Sequence, residues 1–303
     1  MRRLLLLPVM LTGVILFFVH IDLGLGSVES QLYRFAHLAF FAFMAWGLST
    51  QPSLSRRPFL LQVIIIISAV FLLGGMIELT QPYFGRSASW WDLGVDLVGG
   101  LIGIMLFSAA RRGLRPWHRV LGQFAAVSLA TLVLYGPVIT IWDMWQASRQ
   151  FPVLSDFESR FEAQRWSSGR IDRGVAHHGR SSLRVFLPKR KYPGTTLKRS
   201  LGDWRGYSAF AFSLYNPDPE PLSITVSIRD EEHSRRGGQY ADRFNRTFTI
   251  EQGWKDVFIP VADIEKAPLS RTLDLGRLSA VVIFTVSPPS PRLMYLDYVR
   301  LIP

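Results

Sequence analysis

The sequence predicts two architectures in one chain: an α-helical membrane bundle of five transmembrane helices, followed by an all-β sandwich. Three observations predict this. Long apolar runs fill the first half and stop near Trp142. Lysine is absent from that half, and all five lysines lie between Lys189 and Lys266. From Ser155 the pattern changes to short runs of alternating polarity between turn residues, which is how strands read in sequence. The predicted organisation is a membrane domain over 1–142, a tether over 143–154 and a sandwich over 155–303.

A helix needs about 20 apolar residues to cross the hydrocarbon of a bilayer. Five runs qualify: Leu4–His20, Tyr33–Thr50, Phe59–Thr80, Trp90–Ala110 and Val120–Trp142. Arg2 and Arg3 before the first run also fit a signal peptide, with "GLGS" at 24–27 as a cleavage site. The length of the run, and the even number of spans its removal would leave, favour a retained anchor. Basic residues set the direction. Arg2 and Arg3 flank the first span, Arg56 and Arg57 fill the second connection, and Arg111, Arg112, Arg115 and Arg119 fill the fourth. The pattern places the N-terminus inside and the sandwich outside. Trp142 and Trp145 read as an interfacial belt.

The chain has 303 residues, a mean hydropathy of +0.19 and no cysteine. A disulfide scaffold and thiolate metal sites are therefore excluded. The formal net charge of +11 is spread over both halves, with 11 basic and 6 acidic residues up to Gln150 and 23 and 17 beyond it. No basic block with interleaved aromatics points to nucleic acid. The charge reads as a solvated surface that attracts anionic polymers or lipids weakly.

The helical half carries a set of polar residues that the topology brings to one leaflet: Arg34, His37, Glu78, Gln81, Arg86, Asp92 and Asp96. Arg34 and His37 share a helix face by their spacing. Ser89 reads as a helix N-cap with Asp92 three residues on. Gly94, Gly99, Gly100 and Gly103 suit close helix packing, Gly99 and Gly103 as a small-xxx-small pair. Ionisable groups inside a membrane are a functional hypothesis by default. Acid–base chemistry by a carboxylate pair fits. A metal site of His37, Glu78, Asp92 and Asp96 is conceivable, although no ligand spacing in the sequence supports it.

"LYRFAHLAFFAFMAWGL" followed by "IELTQPYFGRSASWWDLGVDLVGGLIG" resembles the VanZ-like membrane family over about the first 110 residues. That family shows a basic residue three before a His, then E-x-x-Q, a loop Arg, and D-x-x-x-N leading into a Gly-rich helix. Arg34, His37, Glu78, Gln81, Arg86 and Asp92 match. Tyr33-Arg34 stands where the family has Asp-Lys, and Asp96 where it has Asn. The resemblance implies a role in the bacterial cell envelope akin to glycopeptide resistance. It places the chain as a multi-pass protein of the cytoplasmic membrane, without supplying a reaction.

Strands are read at "SLRVFLP", "AFAFSLYN", "LSITVSIRD", "RTFTIEQ", "KDVFIPV", "SAVVIFTV" and "LMYLDYVRLI", separated by "YPG", "NPDPEP", "RRGG", "EQGW" and "SPPSP". About eight such strands predict a sandwich. The opening "DFE", with "GRSSLRV", "DWRGYSAFAFSLYNP", "GWKDVFIPV" and "YLDYVRL", resembles carbohydrate-binding modules of the galactose-binding jelly-roll type. That resemblance implies a jelly roll, a sugar partner and a structural calcium held by Asp156, Glu158 and Asp297. Trp166, Tyr192, Tyr240, Asp242, Arg243 and Asn245 are the sugar-binding candidates. Trp204, Tyr207 and Trp254 read as packing residues. Glycan or lipid-linked glycan and membrane lipid are the expected partners; an enzyme acting on such a lipid-linked substrate, and a scaffold for envelope machinery, are the alternatives.

Overall fold

The computed structural model describes residues 27–84, 88–108, 113–198 and 201–303, together with Gly13 and Phe17. The chain divides into two compact units, Met1–Ile141 and Trp142–Pro303.

In the first unit α1 covers Ser27–Ser49, α2 Pro52–Ser55 and α3 Phe59–Thr80. A 3-10 turn, Gln81–Phe84, extends α3. The helix α4, Trp90–Ile102, runs on through a π-helical stretch, Gly103–Phe107. The long helix α5 covers Pro116–Gln150. Among the described residues three helical stretches are long and apolar enough to cross a membrane: Phe59–Phe84, Trp90–Phe107 and Pro116–Gln150. Five were expected. The first expected span lies outside the described residues apart from Gly13 and Phe17. The second became α1, whose first half carries Gln31, Arg34 and His37 and is correspondingly less apolar. Leu60, Leu72 and Leu79 on α3, and Phe124 and Leu132 on α5, are exposed. Apolar surface on this scale is what lipid covers.

Small residues set the approach of α1 to α4. A Cβ on Gly99 would lie 2.5 Å from the Leu38 carbonyl oxygen, and one on Gly103 would run into the Ala42 carbonyl. Ser89 caps α4, its Oγ accepting from the Asp92 N–H at 3.3 Å. That N-cap is the one read from the sequence.

The tether expected at 143–154 is mostly helix. The segment "DMWQASRQ" contains neither Gly nor Pro, so nothing in it stops α5 before Gln150. A short strand β1, Val153–Ser155, follows directly.

The second unit is a sandwich of two antiparallel sheets. Its strands are β1, β2 (Arg170–Asp172), β3 (Ser182–Leu187), β4 (Gly194–Leu197), β5 (Ala209–Asn216), β6 (Leu222–Asp230), β7 (Phe244–Ile250), β8 (Gly253–Pro260), β9 (Leu278–Phe284) and β10 (Arg292–Ile302). Two short helices, α6 (Glu231–Arg235) and α7 (Val261–Glu265), join β6 to β7 and follow β8. One sheet runs β2-β3-β10-β5-β8, with β1 also paired to β10; the other runs β4-β9-β6-β7. Alternation decides the faces. Leu183, Val185 and Leu187 of β3 and Ile224, Val226 and Ile228 of β6 are fully buried in the common core. Arg184 and Phe186 therefore point away from it on the first sheet, and Thr225, Ser227 and Arg229 on the second. β10 bulges after Asp297, where Tyr298 takes a left-handed φ of 47°.

Candidate functional site

In the helical unit His37 of α1 and Asp96 of α4 are buried together, with His37 Nδ1 and Asp96 Oδ1 2.7 Å apart. With Asp96 ionised its oxygen can only accept, and Nδ1 then carries the proton while Nε2 of the neutral ring presents a lone pair. Glu78, near the end of α3, accepts the Ser89 N–H on Oε2 at 2.6 Å. The capping residue of α4 thus also positions the α3 carboxylate. Ligand-type atoms of His37, Glu78 and Asp96 all lie within 4.8 Å of one another. Gly74 makes room: a Cβ there would sit 2.7 Å from Asp96 Oδ2. The ring of Phe17 meets His37 edge-on at 4.5 Å.

Four buried polar atoms of this region have no hydrogen-bond partner among the described residues: His37 Nε2, Glu78 Oε1, Asp96 Oδ2 and Gln81 Nε2. Leaving such an atom unpaired costs about 1–3 kcal/mol. Arg34 makes a looser pair, its Nε 3.9 Å from Asp92 Oδ1, and donates to Gln31 Oε1 at 3.1 Å. Asp92 is close enough to act electrostatically on both Glu78 and Asp96. Arg86 lies outside the described residues. His37, Glu78 and Asp96 gather as a buried trio, with Arg34 and Asp92 as a partly exposed pair beside it.

In the sandwich the sequence candidates separate. Trp166 is not a sugar platform. It is 5% exposed, its Nε1 donates to Ser155 Oγ at 3.1 Å, and its ring packs beside Phe157 in the core. Asp242 is not free for a ligand either. Arg271 clamps it through Nε and NH2 at 2.7 and 3.0 Å, and reaches Asp230 through the same guanidinium. Those bonds from Arg271 hold the Asp242 carboxyl below its ordinary value. The clamp ties the end of β6 to the loop before β7.

Tyr192 and Tyr240 are exposed. Arg243 stands with its guanidinium carbon 5.4 Å from the Tyr240 ring centre. Burial, then the neighbouring Arg229, lowers the Arg243 pKa, while Tyr240 and Tyr192 act in the opposite sense. Ser227 and Asn245 are cross-strand partners on β6 and β7. Among the described residues Ser227 Oγ, Arg243 Nε and Asn245 Oδ1 are buried without a partner. Tyr192, Tyr240, Arg243 and Asn245 thus gather at the outward side of the four-stranded sheet.

The three expected calcium ligands do not converge. Asp297 Oδ2 accepts the His177 and His178 N–H groups at 2.7 and 2.9 Å, and Oδ1 accepts from Tyr298 N at 2.7 Å. Glu158 Oε1 accepts from Arg180 N and Ser181 N. Asp156 Oδ1 accepts from Glu158 N. Backbone N–H groups thus already hold an oxygen of each of these carboxylates.

No protein-family model matches the chain, and no curated protein matches it. Solved structures do match. A family 11 carbohydrate-binding module from Clostridium thermocellum, in complex with a β-1,3-1,4-mixed-linked tetrasaccharide, is 19% identical; the match covers 50% of this chain and 94% of that chain, with a TM-score of 0.39. An exo-β-agarase is 13% identical over 50% of this chain and 24% of that chain, with a TM-score of 0.41. A family 28 module specific for non-crystalline cellulose is 15% identical over 50% of this chain and 93% of that chain, with a TM-score of 0.36.

Sequence reasoning missed a cleft of about 840 Å³ at the β2–β3 edge, lined by Arg170, Arg184, Phe186, Arg190 and Tyr192 among others. Arg170 and Arg184 are register partners on β2 and β3. None of the three arginines forms an ion pair among the described residues. Phe186 is 59% exposed. The alternation of "SLRVFL" is the signal that could have placed Arg184 and Phe186 on one outward face. Arg170 was invisible because β2 is too short to read as a strand.

Proposed function

We propose that this chain is an integral protein of the bacterial cytoplasmic membrane that binds an envelope glycan or a lipid-linked glycan through an extracytoplasmic sandwich. The observation that carries the reading is the cleft. Exposed Phe186 and Tyr192 offer apolar faces of the kind sugar rings stack on. Arg170, Arg184 and Arg190 outnumber the cleft's one carboxylate, Asp172, whose Oδ1 accepts from Gly174 N, and this excess of donors favours a saccharide bearing carboxylate or phosphate groups. Tyr192 links the cleft to Arg243 and Asn245, so a chain of several sugars has polar contacts beyond the cleft. The three apolar helices support the membrane assignment, and the arginine distribution supports an outside location for the sandwich. The VanZ-like resemblance of the helical half supports an envelope role.

The test is binding of residues 142–303 to a panel of acidic and neutral glycans, followed by titration of the best ligand. Saturable binding to an acidic glycan, weakened at least about tenfold in Arg184→Ala and in Tyr192→Ala and unchanged in Asp203→Ala, is the expected result; each tenfold corresponds to about 1.4 kcal/mol. Absence of binding across the panel would leave the sandwich as a protein-recruiting module.

A second reading is favoured by the buried His37, Glu78 and Asp96. Such a trio suits a membrane enzyme modifying the lipid-linked substrate, with Glu78 or Asp96 taking a proton. Turnover of a lipid-linked glycan by the purified full chain, lost in Glu78→Gln, would support it.

A further inference from the structure

We infer that the helical unit holds one divalent transition-metal ion between α1, α3 and α4, with His37, Glu78 and Asp96 as ligands. This inference does not depend on glycan binding. Each helix supplies one residue, and the residues are of the types that bind such ions: one imidazole and two carboxylates. Their ligand-type atoms lie within 4.8 Å of one another. In each residue one polar atom is already used and another is free. His37 Nδ1 meets Asp96 Oδ1 at 2.7 Å, and Glu78 Oε2 accepts from Ser89 N at 2.6 Å. His37 Nε2, Glu78 Oε1 and Asp96 Oδ2 are buried without partners among the described residues.

The free atoms separate a ligand site from ordinary packing. His37 is 1% exposed and Asp96 0%. A buried histidine that only fills space satisfies both nitrogens or turns one to solvent. Here Nδ1 is paired with Asp96 and Nε2 has no partner among the described residues; with the proton on Nδ1, Nε2 is the lone pair that coordinates metal. Two carboxylates so close in an apolar bundle also repel each other, and a cation at the third corner removes that cost. Three protein ligands leave a coordination position for water or a substrate oxygen, as in catalytic rather than structural sites. Mixed nitrogen and oxygen donors suit Zn²⁺, Mn²⁺ or Fe²⁺ better than Ca²⁺.

The experiment uses the full chain purified in detergent and stripped of metal. Zn²⁺ and Mn²⁺ are titrated in by calorimetry, and elemental analysis follows dialysis. One saturable equivalent per chain is expected. His37→Ala, Glu78→Gln and Asp96→Asn should each weaken it by at least about 100-fold. Asp92→Asn, which alters the partly exposed pair with Arg34, should not. Should the variants lose their fold, the wild-type chain loaded with Co²⁺ still decides. Its X-ray absorption spectrum must show one imidazole in a nitrogen–oxygen shell. Failure of wild type to retain an equivalent of either ion, or retention by His37→Ala equal to wild type, overturns the inference. Loss of the metal with glycan binding intact, or the reverse, separates this claim from the function proposed for the sandwich.

Discussion

Asp143 and Arg165, 22 residues apart, form a two-pronged ion pair, with Arg165 Nε 2.9 Å from Asp143 Oδ2 and NH2 2.8 Å from Oδ1. Both are buried, and Arg165 also donates to the Leu154 carbonyl at 2.8 Å. Removing one member of a buried pair strands the other's charge, which typically costs about 3–5 kcal/mol. Asp143→Ala in the full chain should therefore lower the unfolding midpoint of the second unit sharply, while Asp203→Ala at the surface should change it little. Equal midpoints for the two variants would show that Arg165 finds another acceptor.

Glu162 gives the second unit a pH signature. Burial pushes its carboxyl up to about 7, against the opposing pull of Arg165 and the Phe157 N–H. A carboxyl raised in the fold is protonated there while it is ionised in the unfolded chain. This group's contribution therefore falls as pH rises from about 4.3 to about 7. Glu162→Gln keeps an acceptor for the Asp156 and Phe157 N–H groups and removes the titration. The melting temperature of the variant should exceed that of wild type above pH 7, and the gap should close toward pH 4.5. A gap independent of pH would refute the assignment.

Much of the sandwich was legible because its long strands stand as short apolar or alternating runs between turn residues. β3 and β6 alternate clearly, and β5, β7, β8, β9 and β10 are apolar or partly alternating runs bounded by turn residues. β1 and β2 have three residues each and β4 four, too few for a period to show. The run of α5 to Gln150 was hidden by the expectation that a membrane helix ends at its aromatic belt. His37, Glu78 and Asp96 were legible as candidates because ionisable residues stand out within or beside apolar runs. Which of them touch was not, since His37 and Asp96 are 59 positions apart. Trp166 and Asp242 misled because a lone aromatic and an acid beside strands look the same in sequence whether they face sugar, core or an arginine such as Arg271.

Close helix approach should show in the glycines. Gly103→Ala places a methyl against the Ala42 carbonyl and forces α1 and α4 apart, an overpacking cost of about 1–3 kcal/mol. Gly94→Ala meets nothing within 4 Å and should be neutral or slightly stabilising. Thermal unfolding in detergent distinguishes them; indistinguishable curves would mean the bundle relaxes freely at this contact.

Chelation should leave the sandwich unaffected. The oxygens of Asp297 and Glu158 are committed to backbone N–H donors. If these N–H donors alone hold the carboxylates, a chelator should not move the melting temperature of residues 142–303. A fall of several degrees, reversed by Ca²⁺, would restore the calcium site.

The proposed topology is open to labelling, since the chain has no cysteine of its own. Ser53→Cys and Ser270→Cys, both at exposed positions, should behave oppositely toward an impermeant thiol reagent in intact cells. Labelling of the first and not the second would invert the topology.

β10 carries a consequence for how the sandwich is made. It pairs with β1, β3 and β5, yet it comes last in chain order. Until the ribosome has passed Ile302, the larger sheet lacks the strand that joins its pieces, and β3 has no partner on its β10 side. Contacts that close so late hold the nascent segment open during synthesis. On the proposed topology the sandwich is threaded across the membrane as an extended chain. An arrangement that postpones its own closure keeps it exportable, and it also keeps hydrophobic strands uncovered until the last moment, when a holding chaperone has the most to do.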